Sequence, residues 1–187
     1  CGKTLGLVGV GNIGGLVARK AALGFDMKVL AFDPYAKELP DYIIPVSSRE
    51  EVFKKADYVS LHVPATPETV NSVGEKELAG MKKTAFLINT ARGSIIDEEA
   101  LIKALEEKQI AGAALDVTRE EPISRENKLL EMDNVLTAPH IGAATKEASS
   151  RSSLACAEGI DDFLSGRTPK YPVPPMREQL EQMNFTK

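Results

Sequence analysis

The chain has 187 residues, 43% of them hydrophobic and 27% charged, with a net charge of −4. That length and apolar fraction suit one domain with a sizeable core, and slight acidity without a basic cluster excludes nucleic acid as an evident partner. No apolar run approaches the roughly 18 residues that span a bilayer, no secretory leader is visible, and the expected setting is cytoplasmic, with no membrane partner.

Taken in chain order, the first strand runs from Thr4 to Val10 and ends in Gly9-Val10-Gly11-Asn12-Ile13-Gly14. A helix follows from Asn12 to about Leu23, then a strand over Lys28–Phe32 that closes on Asp33, nineteen positions after Gly14. A buried strand that ends in a turn without side chains lets the backbone approach a pyrophosphate, and the helix N-terminus presents unpaired N–H groups to its charge. Gly9 permits the tight turn, Gly11 the close approach, and Gly14 the packing of helix on strand. The Asp33 carboxylate accepts from the adenosine ribose hydroxyls and repels a 2′-phosphate, so the expected cofactor is NAD rather than NADP.

Further strands are expected at Tyr42–Val46, Tyr58–Val63, Ala85–Asn89, Ile110–Asp116 and Asn134–Ala138. Ser47 or Ser48 caps a short helix to Lys55, and Asp97 caps Glu98–Lys108, whose stripe is Ala100, Leu101, Ala104 and Leu105. Alternation of this kind gives βαβ units, and hence an α/β fold: a doubly wound, Rossmann-type parallel sheet with helices on both faces. A longer helical pattern from Thr145 to Leu164 stops at Gly166 and leaves the nucleotide domain. Four of the eleven prolines fall between Pro169 and Pro175, an extended segment, and Met176–Lys187 has room for a turn or two of helix. The domain expectation is 1–145 for nucleotide binding and 146–187 for helix and tail. Cys156, beside Ala155 and Ala157, reads as a reduced, packed thiol; neither it nor Cys1 has metal-ligand spacing.

Ligands of such a sheet sit beyond the carboxyl ends of its strands. Arg92, in Asn89-Thr90-Ala91-Arg92-Gly93, stands before a glycine that allows an unusual backbone turn. It either grips a substrate carboxylate through two parallel hydrogen bonds or lies solvated in its loop. His140 precedes the small residues Ile141-Gly142-Ala143-Ala144, which leave space for a ligand. A carboxylate partner favours the charged imidazole, and both Glu120 and Glu121 are available. Such a couple delivers a proton to a carbonyl oxygen as hydride reaches its carbon; the alternative is a structural hydrogen bond at a strand end, the reading given to His62. Asp116 either meets a nicotinamide carboxamide or caps a loop.

In these segments the chain resembles the D-2-hydroxyacid dehydrogenase family. The resemblance rests on Gly2 to Gly9, Asn89 to Gly93, Leu115-Asp116-Val117 with Glu121-Pro122, and Pro139-His140-Ile141-Gly142, and it extends to about Phe163. Within it, His140 to Ala148 is most similar to 3-phosphoglycerate dehydrogenases. The resemblance implies Arg92, Glu121 and His140 as the catalytic set, with Glu121 keeping His140 protonated. Cofactor contacts are expected from Gly9, Gly11, Asn12, Ile13, Gly14, Asp33, Val63, Pro64, Thr90, Ala91, Arg92, Asp116, His140 and Gly142, with no metal. It also implies a small 2-oxo or 2-hydroxy acid substrate and a homodimer paired through this domain. A chain that opens at Cys1 reads as a fragment without the substrate-domain segment, inactive alone. The rival expectation is an NAD(H)-sensing regulatory or corepressor module without turnover.

Overall fold

The computed structural model describes residues 2–172. The chain divides into two compact units, one over Cys1–Ile141 and one from Gly142 onward.

The first unit is built on seven strands: β1 (Thr4–Val8), β2 (Lys28–Phe32), β3 (Ile43–Pro45), β4 (Tyr58–Leu61), β5 (Phe86–Asn89), β6 (Gly112–Leu115) and β7 (Val135–Thr137). They form one sheet in the order β3-β2-β1-β4-β5-β6-β7, every pair parallel. This is the doubly wound sheet expected, and the order reverses between β1 and β4, where such sheets open a crevice for a ligand. All seven strands lie where the apolar runs place them. Most stop one or two residues early, because their last residues turn outward while still closing the ladder: Asp116 N donates to Asn89 O (3.0 Å) and Ala138 N to Leu115 O (2.8 Å).

Period-two burial explains the two cores. Leu5 and Leu7 of β1 face α1 (Asn12–Phe25) and meet its Ala18 and Ala21, while Val8, Val59 and Leu61 pack with Val52 and Phe53 of α2 (Arg49–Lys55). Leu101 and Leu105 of α4 (Glu98–Glu106) extend that second core. Each fully buried side chain of this size contributes about 1.5–3 kcal/mol. The helix α3 (Glu75–Ala79) was not expected: five residues are too short to show an apolar period, and its start is closed by Glu77, whose carboxylate accepts from Gly74 N (3.2 Å). At the amino edge of the sheet, Asp57 accepts from Thr4 N (2.8 Å) and pairs with Lys82 Nζ (2.9 Å). The Thr4 amide first, then Lys82, hold its carboxyl below the usual carboxylate range.

In the second unit α5 (Lys146–Leu164) is capped by Thr145, whose hydroxyl accepts from Ala148 N (3.1 Å), and it buries none of its residues. The packed thiol expected at Cys156 is corrected on this point. Cys156 is a free thiol but an exposed one, because it lines a groove between α5 and Pro169–Pro172 rather than a core. No described helix is long and apolar enough to cross a membrane. Cys1, Val173–Pro175 and the short helix expected in Met176–Lys187 lie outside the described residues.

Candidate functional site

The loop between β1 and α1 is shaped by three glycines with different reasons to be bare. Gly9 has φ +93°, and a Cβ there would also stand 2.6 Å from His62 O. A Cβ on Gly14 would stand 2.4 Å from Gly9 O, so α1 can pack on its strand only without one. A Cβ on Gly11, by contrast, would meet no atom within 4 Å. The protein's own packing does not require that glycine, and the space on its open side could admit a phosphate.

The start of α1 points the same way. Its N-cap is Gly11, with no side-chain hydrogen bond and no acid in the first turn. The other four described α-helices are each closed by a side chain: Ser48 accepts from Glu51 N, Glu77 from Gly74 N, Asp97 from Ala100 N and Thr145 from Ala148 N. Uncapped N–H groups at the positive end of a helix dipole form a site for an anion. Asn12 and Ile13, in the first turn, are exposed.

Asp33 follows β2, and its carboxylate already organises this loop, with Oδ2 accepting from Val10 N (2.8 Å) and Oδ1 from Tyr35 N (2.9 Å). A carboxylate has about four acceptor positions, so these two bonds fix its orientation and leave capacity for ribose hydroxyls. His62 lies under the glycine turn with Nε2 3.0 Å from Ser60 Oγ, and burial pushes its imidazole pKa down. The neutral, packed ring fits the structural reading. Val63 packs against the core beside Gly9, and Pro64 O accepts the Thr69 hydroxyl (2.6 Å).

Across the switch point, three loops leave the ends of β5, β6 and β7. The β5 loop carries Thr90, Ala91 and Arg92; Arg92 is exposed, and its Nη1 donates to Ala91 O (2.6 Å). Gly93 does not adopt the unusual backbone expected of it, since among the described glycines only Gly2, Gly9 and Gly166 have positive φ. The reason for glycine is proximity: a Cβ would stand 1.9 Å from Thr118 O. The β6 loop carries Asp116 and Glu121, and the β7 loop carries His140. His140 Nδ1 lies 2.8 Å from Glu121 Oε2, with the two side chains 49% and 39% exposed.

His140 itself is held in the left-handed region, φ +54°, a conformation that costs a non-glycine residue on the order of 1 kcal/mol. Two bonds to one residue hold it there: His140 N donates to Asp116 O and Ile141 N to Asp116 Oδ1, each at 2.8 Å. A cleft of about 300 Å³ opens among Asp116, Thr118, Glu121, Thr137, Pro139 and His140. Gly142, the last of the expected cofactor residues, begins the second unit. Among the described residues no cluster of His, Cys, Asp and Glu suits a metal ion.

Two residues of this region had no role in the sequence reading. Asn89 was visible as a polar residue closing an apolar strand, whereas Thr118 carried no signal: its two hydrogen bonds stay within its own loop, and its contact with Gly93 exists only once β5 and β6 are adjacent.

The sequence model described as "D-isomer specific 2-hydroxyacid dehydrogenase, NAD binding domain" matches residues 1–142. A glyoxylate reductase of Korarchaeum cryptofilum is 45% identical over 90% of this chain and 51% of its own length. A D-3-phosphoglycerate dehydrogenase of Synechocystis is 48% identical over 88% of this chain and 30% of its own. Among solved structures, D-lactate dehydrogenase with NAD+ from Lactobacillus jensenii superposes with a TM-score of 0.84 at 35% identity, covering 91% of this chain and 55% of that one. The chain thus spans about half of the length of the first of these curated relatives and under a third of the second. With an open helix start, a bare glycine beside it and the Asp33 carboxylate at the end of β2, the chain belongs to the D-isomer specific 2-hydroxyacid dehydrogenases, as their NAD-binding domain.

Proposed function

We propose that this chain is the nucleotide-binding part of an enzyme that interconverts a small 2-oxo acid and its D-2-hydroxy acid. The observation that carries the reading is the His140–Glu121 pair, 2.8 Å apart at the carboxyl edge of the sheet, on the β7 and β6 loops beside the Arg92 loop. Bound NADH supplies the hydride for the carbonyl carbon of the oxo acid. Arg92 releases its bond to Ala91 O and grips the substrate carboxylate bidentately, which orients the neighbouring carbonyl. With Nδ1 turned to Glu121, His140 presents Nε2 to the substrate and gives its proton to the forming alkoxide. Glu121 then faces the charged ring and stabilises it, and it favours recharging from solvent. Gly9, Gly11 and Gly14 with the first turn of α1 hold the pyrophosphate, and Asp33 holds the ribose.

The names of the relatives suggest glyoxylate and hydroxypyruvate as the first substrates to assay. In the intact enzyme, His140→Ala should lower turnover by roughly two orders of magnitude or more while NADH binding persists. Undiminished turnover removes His140 from the mechanism. We also read the intact protein as a cytoplasmic homodimer paired through this domain. The apolar side chains α1 leaves exposed, Ile13, Leu16 and Leu23, support pairing, and a mass that stays at one chain in sedimentation at rising concentration would exclude it.

A further inference from the structure

A chain of short contacts links the arginine loop to the proton-transfer pair, and the residues that make the link, Asn89, Gly93 and Thr118, were not among the expected site residues. Asn89, fully buried at the end of β5, accepts from Ala91 N at Oδ1 (3.0 Å) and donates from Nδ2 to Arg92 O (2.9 Å). That clamp fixes the backbone on both sides of the Ala91–Arg92 peptide. The next residue, Gly93, lies flush on the β6 loop, where a Cβ would stand 1.9 Å from Thr118 O, 2.1 Å from its carbonyl carbon and 2.7 Å from Arg119 N. Only hydrogen fits there. Thr118, 9% exposed, then turns toward the acid: its N–H donates to Glu121 Oε1 (3.2 Å) and its hydroxyl to Glu120 O (2.7 Å). The second oxygen of the same carboxylate is the one 2.8 Å from His140 Nδ1.

We propose that Thr118 is a positioning residue for the Glu121–His140 pair, and that its contact with Gly93 holds that pair in register with Arg92. The inference rests on the reading above, in which that pair moves the proton. Glu121 sits on a loop and is more than a third exposed, so nothing in its own burial prevents the carboxylate from rotating away from the ring. Thr118 prevents it in two ways. The amide occupies Oε1, which leaves Oε2 directed at His140, and the hydroxyl fixes the carbonyl just before Glu121, which sets the starting direction of the side chain. With the carboxylate so aimed, the neutral imidazole carries its proton on Nδ1. Without the Thr118 hydroxyl, the turn loosens and the tautomer is no longer dictated.

His62 and His140 are the only two imidazoles in the sequence, so a long-range ¹H–¹⁵N spectrum of the labelled chain resolves both rings. Recorded at alkaline pH, where the rings are neutral, the wild-type spectrum should show His140 with its proton on Nδ1. Thr118→Val keeps the shape and the amide but removes the hydroxyl, and it should raise the Nε2-protonated form several-fold. Thr118→Ser should keep the wild-type pattern, and Gly93→Ala, whose methyl must displace Thr118, should resemble Thr118→Val. Unmoved His62 signals report an intact fold. Unmoved His140 signals in a folded Thr118→Val chain overturn the proposal. Should that variant lose the His62 pattern, Thr118→Ala carries the same two outcomes. In the intact enzyme, Thr118→Val should lower kcat about tenfold or more with KM for NADH unchanged and activity restored by serine; an unchanged kcat also overturns the positioning role. A fully active His140→Ala enzyme would instead sink the proton-transfer reading and leave the tautomer result standing, so the two failures are distinguishable.

Discussion

The two ends of the carboxyl edge are built on opposite principles. Near β1 and β2 the site is made by what is missing: side chains at Gly9, Gly11 and Gly14, and any side-chain cap on α1. Near β5, β6 and β7 it is made by what is present, as Asn89, Asp116, Thr118 and Glu121 each hold a neighbour by hydrogen bonds. Under the proposed function the difference follows from the task. A pyrophosphate is recognised by main-chain amides at close range, and any Cβ in the way ends the approach. Proton transfer needs one ring nitrogen aimed at one oxygen, which only directed side-chain bonds achieve.

That contrast predicts that a single added methyl at the first end strikes nucleotide binding itself. Gly9→Ala forces a side chain into φ +93° against His62 O. It should cost about 2–3 kcal/mol of stability and remove measurable NADH binding by calorimetry. Wild-type affinity in this variant would break the comparison at its strongest point.

A smaller effect is expected where the first end does use a side chain. Asp33→Ser keeps an acceptor for Val10 N but loses the charge. NADH should bind about tenfold more weakly, as expected for the loss of about 1.5 kcal/mol of charge-assisted hydrogen bonding, and NADPH should gain. Titration of both nucleotides checks it, and an unchanged ratio would take cofactor choice away from Asp33.

The smallest effect sharpens the comparison from the opposite edge of the sheet, where neither principle operates. The Asp57 carboxyl lies below its usual range, held first by the Thr4 amide and then by Lys82. An acid whose folded pKa is depressed binds fewer protons when folded than when unfolded. Its stabilisation is therefore present above the ordinary carboxylate range, near pH 4, and is lost as pH falls through the lower folded value. Asp57→Asn should lose about 1 kcal/mol at neutral pH, keep NADH affinity, and show a shallower decline in urea stability on acidification. A decline as steep as that of the wild type would deny Asp57 this role.

Much of this was legible in the residues because it depends on local rules. Apolar runs of strand length placed all seven strands, and the pair Ser47/Ser48 and Asp97 marked two helix starts, where Ser48 and Asp97 bond within one turn. The glycine turn and Asp33 were readable for the same reason, since a turn and the next strand end stand at a set separation in a βαβ unit. What was misread lay across gaps in the chain. Gly93 looked like a glycine needed for an unusual φ, and it is bare because Thr118, from the next loop, presses on it. Cys156 looked packed because its neighbours are small, but the exposure of a helix face is set by what lies opposite it.

Sequence alone determined the parallel α/β sheet and the glycine turn after its first strand, because period and turn chemistry act over a few positions. Tertiary structure alone decided that Glu121 stands 2.8 Å from His140 Nδ1 and why position 93 carries no side chain. Those contacts join residues from separate strand ends, and their geometry exists only once β5, β6 and β7 lie side by side in the sheet.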